Sequence, residues 1–329
     1  MNELLSLENV SVSYSLRRSA NSSVFSQSVS ELRAVDDVSF TIAPQETLGL
    51  VGESGCGKSS LARAIIGLEP IAGGRIVFEG VDCARQPSTL KRGRKLHATY
   101  KRMQMVFQDP SSSLNPRMSV EAMIQEVLWV YRIVAREELS DEIDRLLALV
   151  GLAPDTRRRL PHEFSGGQRQ RLSIARALAI RPSLLICDEA TSSLDASTQA
   201  QILSLLCELR DTLGLSYLFI SHGLGAVRHI SDRVAVMYLG KLVEIAPSAE
   251  LFATPRHPYT QALIAANPTP DPRQRRARRL LKGIAPGFLD LPAGCRFHPR
   301  CPFAQELCRT VAPQFRDEAG HATACHFNT

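Results

Sequence analysis

The sequence lacks the features that put a chain across a membrane. No stretch approaches the eighteen or more apolar residues that a spanning helix needs. Its start, Met1 to Glu8, has neither the basic segment nor the apolar run of a secretory signal. Also missing are an internal repeat, a heptad run, and the tight C-x₂₋₄-C pair of most structural zinc sites. The chain is therefore expected to be cytosolic, reaching any membrane through partners, and its eight cysteines are not expected to form disulfides.

With 329 residues there is room for one large α/β domain plus an appendage, or for two ordinary domains. The content of 44% hydrophobic and 22% charged residues is ordinary for a globular protein. A net charge of +6 and a pI near 9.0 suit a nucleotide-binding protein or one docked near anionic lipid, and no nucleic-acid partner is expected. The largest basic cluster, Arg273, Arg275, Arg276, Arg278, Arg279 and Lys282, follows the proline-rich segment 267–272 and reads as a solvated linker.

Gly52-Glu53-Ser54-Gly55-Cys56-Gly57-Lys58-Ser59 fits G-x-x-x-x-G-K-[ST], the P-loop. The apolar run Thr47 to Val51 predicts a strand entering it, and Lys58 to Ile66 predicts a helix leaving it. Backbone N–H groups of such a loop wrap phosphates. Lys58 would neutralise the terminal phosphate oxygens of ATP, and the Ser59 hydroxyl, followed by Ser60, would ligate Mg²⁺.

A second phosphate-gripping motif, Ser165-Gly166-Gly167-Gln168, opens another helical pattern. If the P-loop holds this chain's own ATP, the second motif serves a nucleotide held by a partner. Leu184 to Cys187 form an apolar strand ending in Asp188 and Glu189. Asp188 suits Mg²⁺, and Glu189, one residue farther, suits a general base for the attacking water. His222 follows another apolar strand and is placed to contact the γ-phosphate or orient water, whereas a lone strand-end histidine usually means nothing. Gln108 ends a third strand and is a candidate for the Mg²⁺ or water shell. Asp195, in Ser193-Leu194-Asp195, is placed to cross a subunit boundary, and Tyr14 to stack on adenine. Residues 4–14 and 38–42 read as strands, Ser15 to Arg33 with its seven serines as a long mobile loop, and 119–150 as helical.

In this order the motifs resemble the ATP-binding cassette (ABC) ATPases over roughly residues 4–250. The resemblance implies an α/β fold: a RecA-like core, an antiparallel β-subdomain and a helical subdomain at about 110–165, all within 1–255. It further implies two cassettes facing head to tail, with Ser165, Gly166, Gly167 and Gln168 contacting the partner's γ-phosphate. Phe164 stands where the family usually has Leu, and Gly223 where an acid often follows the histidine. The second departure implies some loss of local order, not of hydrolysis.

Pro255 to Leu263, at the boundary, and Gly294 to Pro302, within the remainder 256–329, look like the ATPase subunits of oligopeptide and dipeptide importers, closest to the second of two non-identical ATPases. That resemblance implies two transmembrane permease subunits, an extracytoplasmic solute-binding protein, and a peripheral position on the cytoplasmic face of the inner membrane. A soluble ABC ATPase not associated with transport, and an importer of a non-peptide solute, are the alternatives.

Cys295, Cys301, Cys308 and Cys325 crowd the last 35 residues. Four thiolates are enough for a tetrahedral zinc or an iron–sulfur cluster, with His298 and His326 as substitute ligands. The importer resemblance implies a 4Fe-4S cluster.

Overall fold

The computed structural model describes residues 3–16, 30–83, 99–266 and 286–327. The basic cluster 273–282 and the middle of the serine-rich segment lie outside them. Strand β1 (Leu5–Leu16) pairs antiparallel with β2 (Ser30–Ile42). The loop expected over 15–33 is therefore shorter at both ends, because Tyr14 to Ser15 and Glu31 to Arg33 join the ladder. Ladder pairing uses backbone groups, so it continues beyond the apolar alternation that marks a strand in sequence. β3 (Thr47–Val51) and α1 (Lys58–Ile65) flank the P-loop, and β4 (Gly73–Phe78) and β5 (Val81–Asp82) complete a four-stranded sheet ordered β2-β1-β4-β5.

The second sheet has eight strands, ordered β11-β12-β10-β9-β3-β8-β7-β6. Five of its strands run parallel: β6 (Met103–Val106) at one edge, then β7 (Leu184–Asp188), β8 (Ser216–Ile220), β3 and β9 (Arg233–Tyr238). β3, β7 and β8 are buried along their whole length. That accounts for their unbroken apolar runs, since a parallel strand covered on both faces has no polar side.

One face of this sheet packs with α1 against the antiparallel sheet, through Leu48, Leu50, Leu61, Ile65, Ile186 and Ile220. The other face meets helices, through Cys187, Phe219 and Val236. These are α2 (Pro110–Ser113), α3 (Val120–Val130), α4 (Leu139–Leu149), α5 (Gly166–Leu178), α6 (Ala196–Leu213) and α7 (Leu224–Ile230). The helical stretch expected over 119–150 is two helices, broken where Arg132 turns to φ 52°. The break folds Ile124 and Leu128 back against the same core as Ile143 and Leu147, whereas one straight helix would hold the two apolar sets apart.

β10 (Lys241–Pro247) leads into α8 (Ser248–Ala253) and α9 (Pro258–Ala266), with Pro255 between the helices. The cysteine-bearing tail then returns to the sheet. After α10 (Glu306–Thr310), β11 (Arg316–Glu318) and β12 (His321–Thr323) extend its edge, with Glu244 of β10 opposite Thr323. Among the described residues no helix is long and apolar enough to cross a membrane.

Candidate nucleotide site and cysteine pocket

Parallel register gathers the chemistry. Leu50 of β3 and Asp188 of β7 both lie opposite Ile220 of β8, and Val106 of β6 lies opposite Cys187. The residues that follow these strands, the P-loop, Gln108, Glu189 and His222, therefore emerge along one edge, where open α/β sheets collect ligands.

The P-loop is tightly held. Gly57 has φ 108°, and a Cβ there would stand 2.2 Å from the Ala34 carbonyl oxygen, so only glycine fits. Gly57 is also the N-cap of α1, and no side chain caps that end. The first N–H groups of α1 lack intrahelical acceptors, which leaves them for an anion. Lys58 is buried and donates to the carbonyls of Gly52 (2.8 Å) and Glu53 (2.9 Å), so its charge sits inside the loop. Burial raises the Cys56 thiol above its usual range, which leaves it a protonated filler of the loop.

Ser59 Oγ donates to Asp188 Oδ1 at 3.0 Å, joining the two residues expected at Mg²⁺. Asp188 is buried, and burial pushes its carboxyl above the usual range against the opposing Ser59 hydrogen bond. A buried carboxylate beside a hydroxyl is short of positive charge, so this pair fits a divalent cation. Glu189 sits at φ 50°, a left-handed conformation held by its N–H on Ile220 O (2.9 Å) and by Ser192 Oγ on its carbonyl (2.9 Å). Gln108 Nε2 donates to Glu189 Oε2 at 2.9 Å, and His222 Nδ1 lies 3.5 Å from the same oxygen. Tyr14 Oη donates to Ser60 Oγ at 3.1 Å, which ties the β1 end to α1.

Ser165 to Gln168 open α5. Ser165 caps α5 and closes a capping box with Gln168: the Gln168 N–H donates to Ser165 Oγ (3.3 Å), and the Ser165 N–H to Gln168 Oε1 (3.0 Å). Gly167 packs so close to Thr198 that a Cβ would lie 2.4 Å from its methyl. Asp195 caps α6 by accepting from the N–H groups of Ser197 and Thr198, and these bonds, with those of the two hydroxyls, hold its carboxyl far below the usual range. Phe164 is buried, so the aromatic ring serves the core as Leu would.

In the tail, Cys295, Cys301, Cys308 and Cys325 line one small pocket of about 20 Å³, together with His257, His298, His326 and Phe297. All four are free thiols. Burial raises Cys295 to about 11 and raises Cys301 and Cys325 as well. Among the described residues no three His, Cys, Asp or Glu groups converge as they would around a single metal ion.

Two residues that the motif reading did not single out reach the P-loop from this tail. The Glu53 N–H donates to Tyr259 Oη at 2.9 Å, and Arg300 grips both Glu53 carboxylate oxygens, at 2.8 and 2.9 Å. Both lie in the tail segments that resemble the importer ATPases, but a contact across more than two hundred positions leaves no local pattern.

Residues 35–192 match the ABC transporter family, and residues 243–308 the oligopeptide/dipeptide transporter C-terminal region. Over 303 residues, 92% of this chain and 84% of the relative, the sequence is 51% identical to a probable peptide ABC transporter ATP-binding protein, y4tS, of Sinorhizobium fredii. The chain belongs to the ABC transporter ATP-binding proteins. It is also 46% identical over 326 residues to the oligopeptide transport ATP-binding protein AppF of Bacillus subtilis, covering 98% of this chain and 97% of that one. Among solved structures, CbiO1 of Clostridium perfringens, part of the ABC transporter complex cbiONQ, aligns with a TM-score of 0.63 at 26% identity. That alignment covers 77% of this chain and 92% of CbiO1. The ATP-binding cassette MJ0796, a dimer bound to ADP and phosphate, shares the fold with the same TM-score at 23% identity, over 74% of this chain and 98% of MJ0796. The cassette fold, with its RecA-like α/β core, is thus shared across the family.

Proposed function

We propose that this chain is the ATP-hydrolysing subunit of a binding-protein-dependent importer of di- or oligopeptides. The reading is carried by one observation: parallel strand register brings the P-loop, Asp188, Glu189 and His222 to one edge. The P-loop from Gly52 to Ser60 binds this chain's ATP, and Tyr14 lies beside α1 where adenine would stack. Ser59, Asp188 and Gln108 are the residues that would hold Mg²⁺, which supplies charge neutralisation at the β- and γ-phosphates when bound. Glu189 takes a proton from the attacking water, Gln108 steadies the same carboxylate, and His222 orients it toward the γ-phosphate. The capped α5 N-terminus, with Asp195 nearby on α6, serves the nucleotide of a second, non-identical cassette. Two permease subunits at the inner membrane and a solute-binding protein beyond them complete the assembly, with this chain on the cytoplasmic face.

The tail supports the transport reading, since residues 243–308 match a region described from oligopeptide and dipeptide transporters. A cassette working away from transport would not need it. The four thiols that line one pocket are enough in number to hold a 4Fe-4S cluster, with zinc as the alternative. Such a cluster would be structural, pinning a tail that is short of apolar residues.

Uptake of labelled peptides by cells lacking this chain tests the function: uptake should fall to background and return with the wild-type chain but not with the Lys58→Ala variant. Unchanged uptake overturns the reading. Anaerobically purified protein should carry iron and show broad visible absorption. A colourless, iron-free, folded sample rules the cluster out.

A further inference from the structure

Glu53 is the second residue of the P-loop, and all of its polar groups are spoken for. Its carbonyl accepts from Lys58 at 2.9 Å, its N–H donates to Tyr259 Oη at 2.9 Å, and its carboxylate takes the Arg300 fork on both oxygens. Arg300 is only 7% exposed, and its guanidinium lies 5.9 Å from the centre of the Tyr238 ring. Tyr238, Tyr259 and Phe297 form an aromatic box beneath it, with ring centres 4.6 to 5.4 Å apart. A bidentate, shielded arginine–carboxylate pair fixes direction as well as distance.

A second strut runs in parallel. Arg296 bonds the Leu239 carbonyl and the Asp36 carboxylate. The next residue, Gly240, donates its N–H to the carbonyl of Cys56 in the P-loop at 2.9 Å and accepts from the Asp36 N–H at 2.8 Å. Arg296 directly follows Cys295, and Arg300 directly precedes Cys301. Arg300, which reaches the P-loop, and Arg296, which braces the turn beside it, therefore sit on the one turn whose ends are two of the four pocket thiols, with Phe297 lining that pocket between them.

From this geometry we infer that Arg300 is a positioning residue for the nucleotide site, and that through it the four-thiol pocket and the P-loop form one energetically coupled unit. The inference rests on the P-loop being the nucleotide site. ATP binding draws on a loop whose Lys58 and Glu53 are set by the tail, so displacing the turn from 295 to 301 weakens ATP binding. Coupling between sites is reciprocal, so ATP in turn quiets the tail.

The test uses the full chain and Mg²⁺-ATP. Arg300→Gln and Glu53→Gln should each raise the equilibrium Kd for ATP about tenfold, which is 1.4 kcal/mol. The double variant should be no weaker than either single one, since both remove the same bond. Arg300→Lys should fall between wild type and Arg300→Gln, because it keeps charge but loses the fork. For Arg300→Gln, turnover at saturating ATP should stay within about twofold, because the guanidinium does not touch the reacting atoms. Hydrogen–deuterium exchange over residues 295–308 should slow with ATP in the wild type and not in Arg300→Gln.

An additive double variant, or exchange in the tail indifferent to ATP, overturns the coupling. So does Glu53→Gln binding within twofold of wild type while Arg300→Gln is weak, since that pattern reports a loosened tail. Lys58→Ala is the separate control: if it leaves ATP binding intact, the nucleotide site itself is misplaced.

Discussion

Oε2 of Glu189 accepts the Gln108 amide at 2.9 Å and lies 3.5 Å from Nδ1 of His222. One carboxylate oxygen thus receives groups from the ends of two other strands, while Glu189 itself is turned into a left-handed backbone conformation. A general base needs this kind of restraint, because a proton acceptor that rotates freely spends little time facing the water it must activate.

Glu189→Gln should keep ATP affinity and lose turnover by about two to four orders of magnitude, the usual worth of a general base. Phosphate release checks the rate, and size-exclusion chromatography with ATP should show the paired cassettes accumulating. Near-normal steady-state hydrolysis in the assembled complex would remove Glu189 from the role of base.

Asp188→Asn should shift the Mg²⁺ dependence before anything else. The buried carboxylate beside Ser59 is where a divalent cation regains negative charge. Titrating Mg²⁺ at fixed ATP should show a requirement roughly tenfold or more above wild type, since ligand-shell changes typically cost 10–100-fold in metal affinity. An unchanged Mg²⁺ midpoint contradicts the assignment.

His321 is fully buried between two carboxylates, with Nε2 2.6 Å from Glu244 and Nδ1 2.7 Å from Glu250. These two contacts pin β12 to β10 and α8. His321→Ala leaves Glu244 buried without that partner and should destabilise the chain by about 1–3 kcal/mol, the cost of an unsatisfied buried group. Urea denaturation measures it. A loss under 1 kcal/mol would mean that β12 is held by its ladder alone.

Glu142 on α4 supplies the pH-dependent case. Hydrogen bonds from Arg145, and then from Arg181, hold its carboxyl below the usual range. A lowered folded value means its contribution is complete above the ordinary glutamate pKa of about 4.3 and fades as pH falls through the folded value. Both arginines are largely exposed, so the pair is worth about 1 kcal/mol or less. The stability gap between wild type and Glu142→Gln should be constant near neutral pH and close below about pH 4. A gap that widens in acid contradicts the sign.

Much of this was legible in the sequence because each signal is local. A glycine-rich loop between an apolar run and a helical pattern announces itself, and so do carboxylates that end a buried strand. The fused reading of 119–150 failed because the apolar spacing of two packed helices does not show the turn at Arg132. The serine-rich segment failed at its edges because ladder hydrogen bonds belong to the backbone and leave no side-chain pattern.

The sequence by itself determined which residues can grip phosphate, hold a cation or take a proton, and that four cysteines share one tail. These follow from side-chain chemistry and short-range spacing. Tertiary structure alone decided that Leu50, Asp188 and Ile220 share one register, so that their loops meet at one edge, and that Arg300 reaches Glu53 across the fold. Strand pairing and burial join positions without regard to their distance along the chain, and no short-range pattern encodes that.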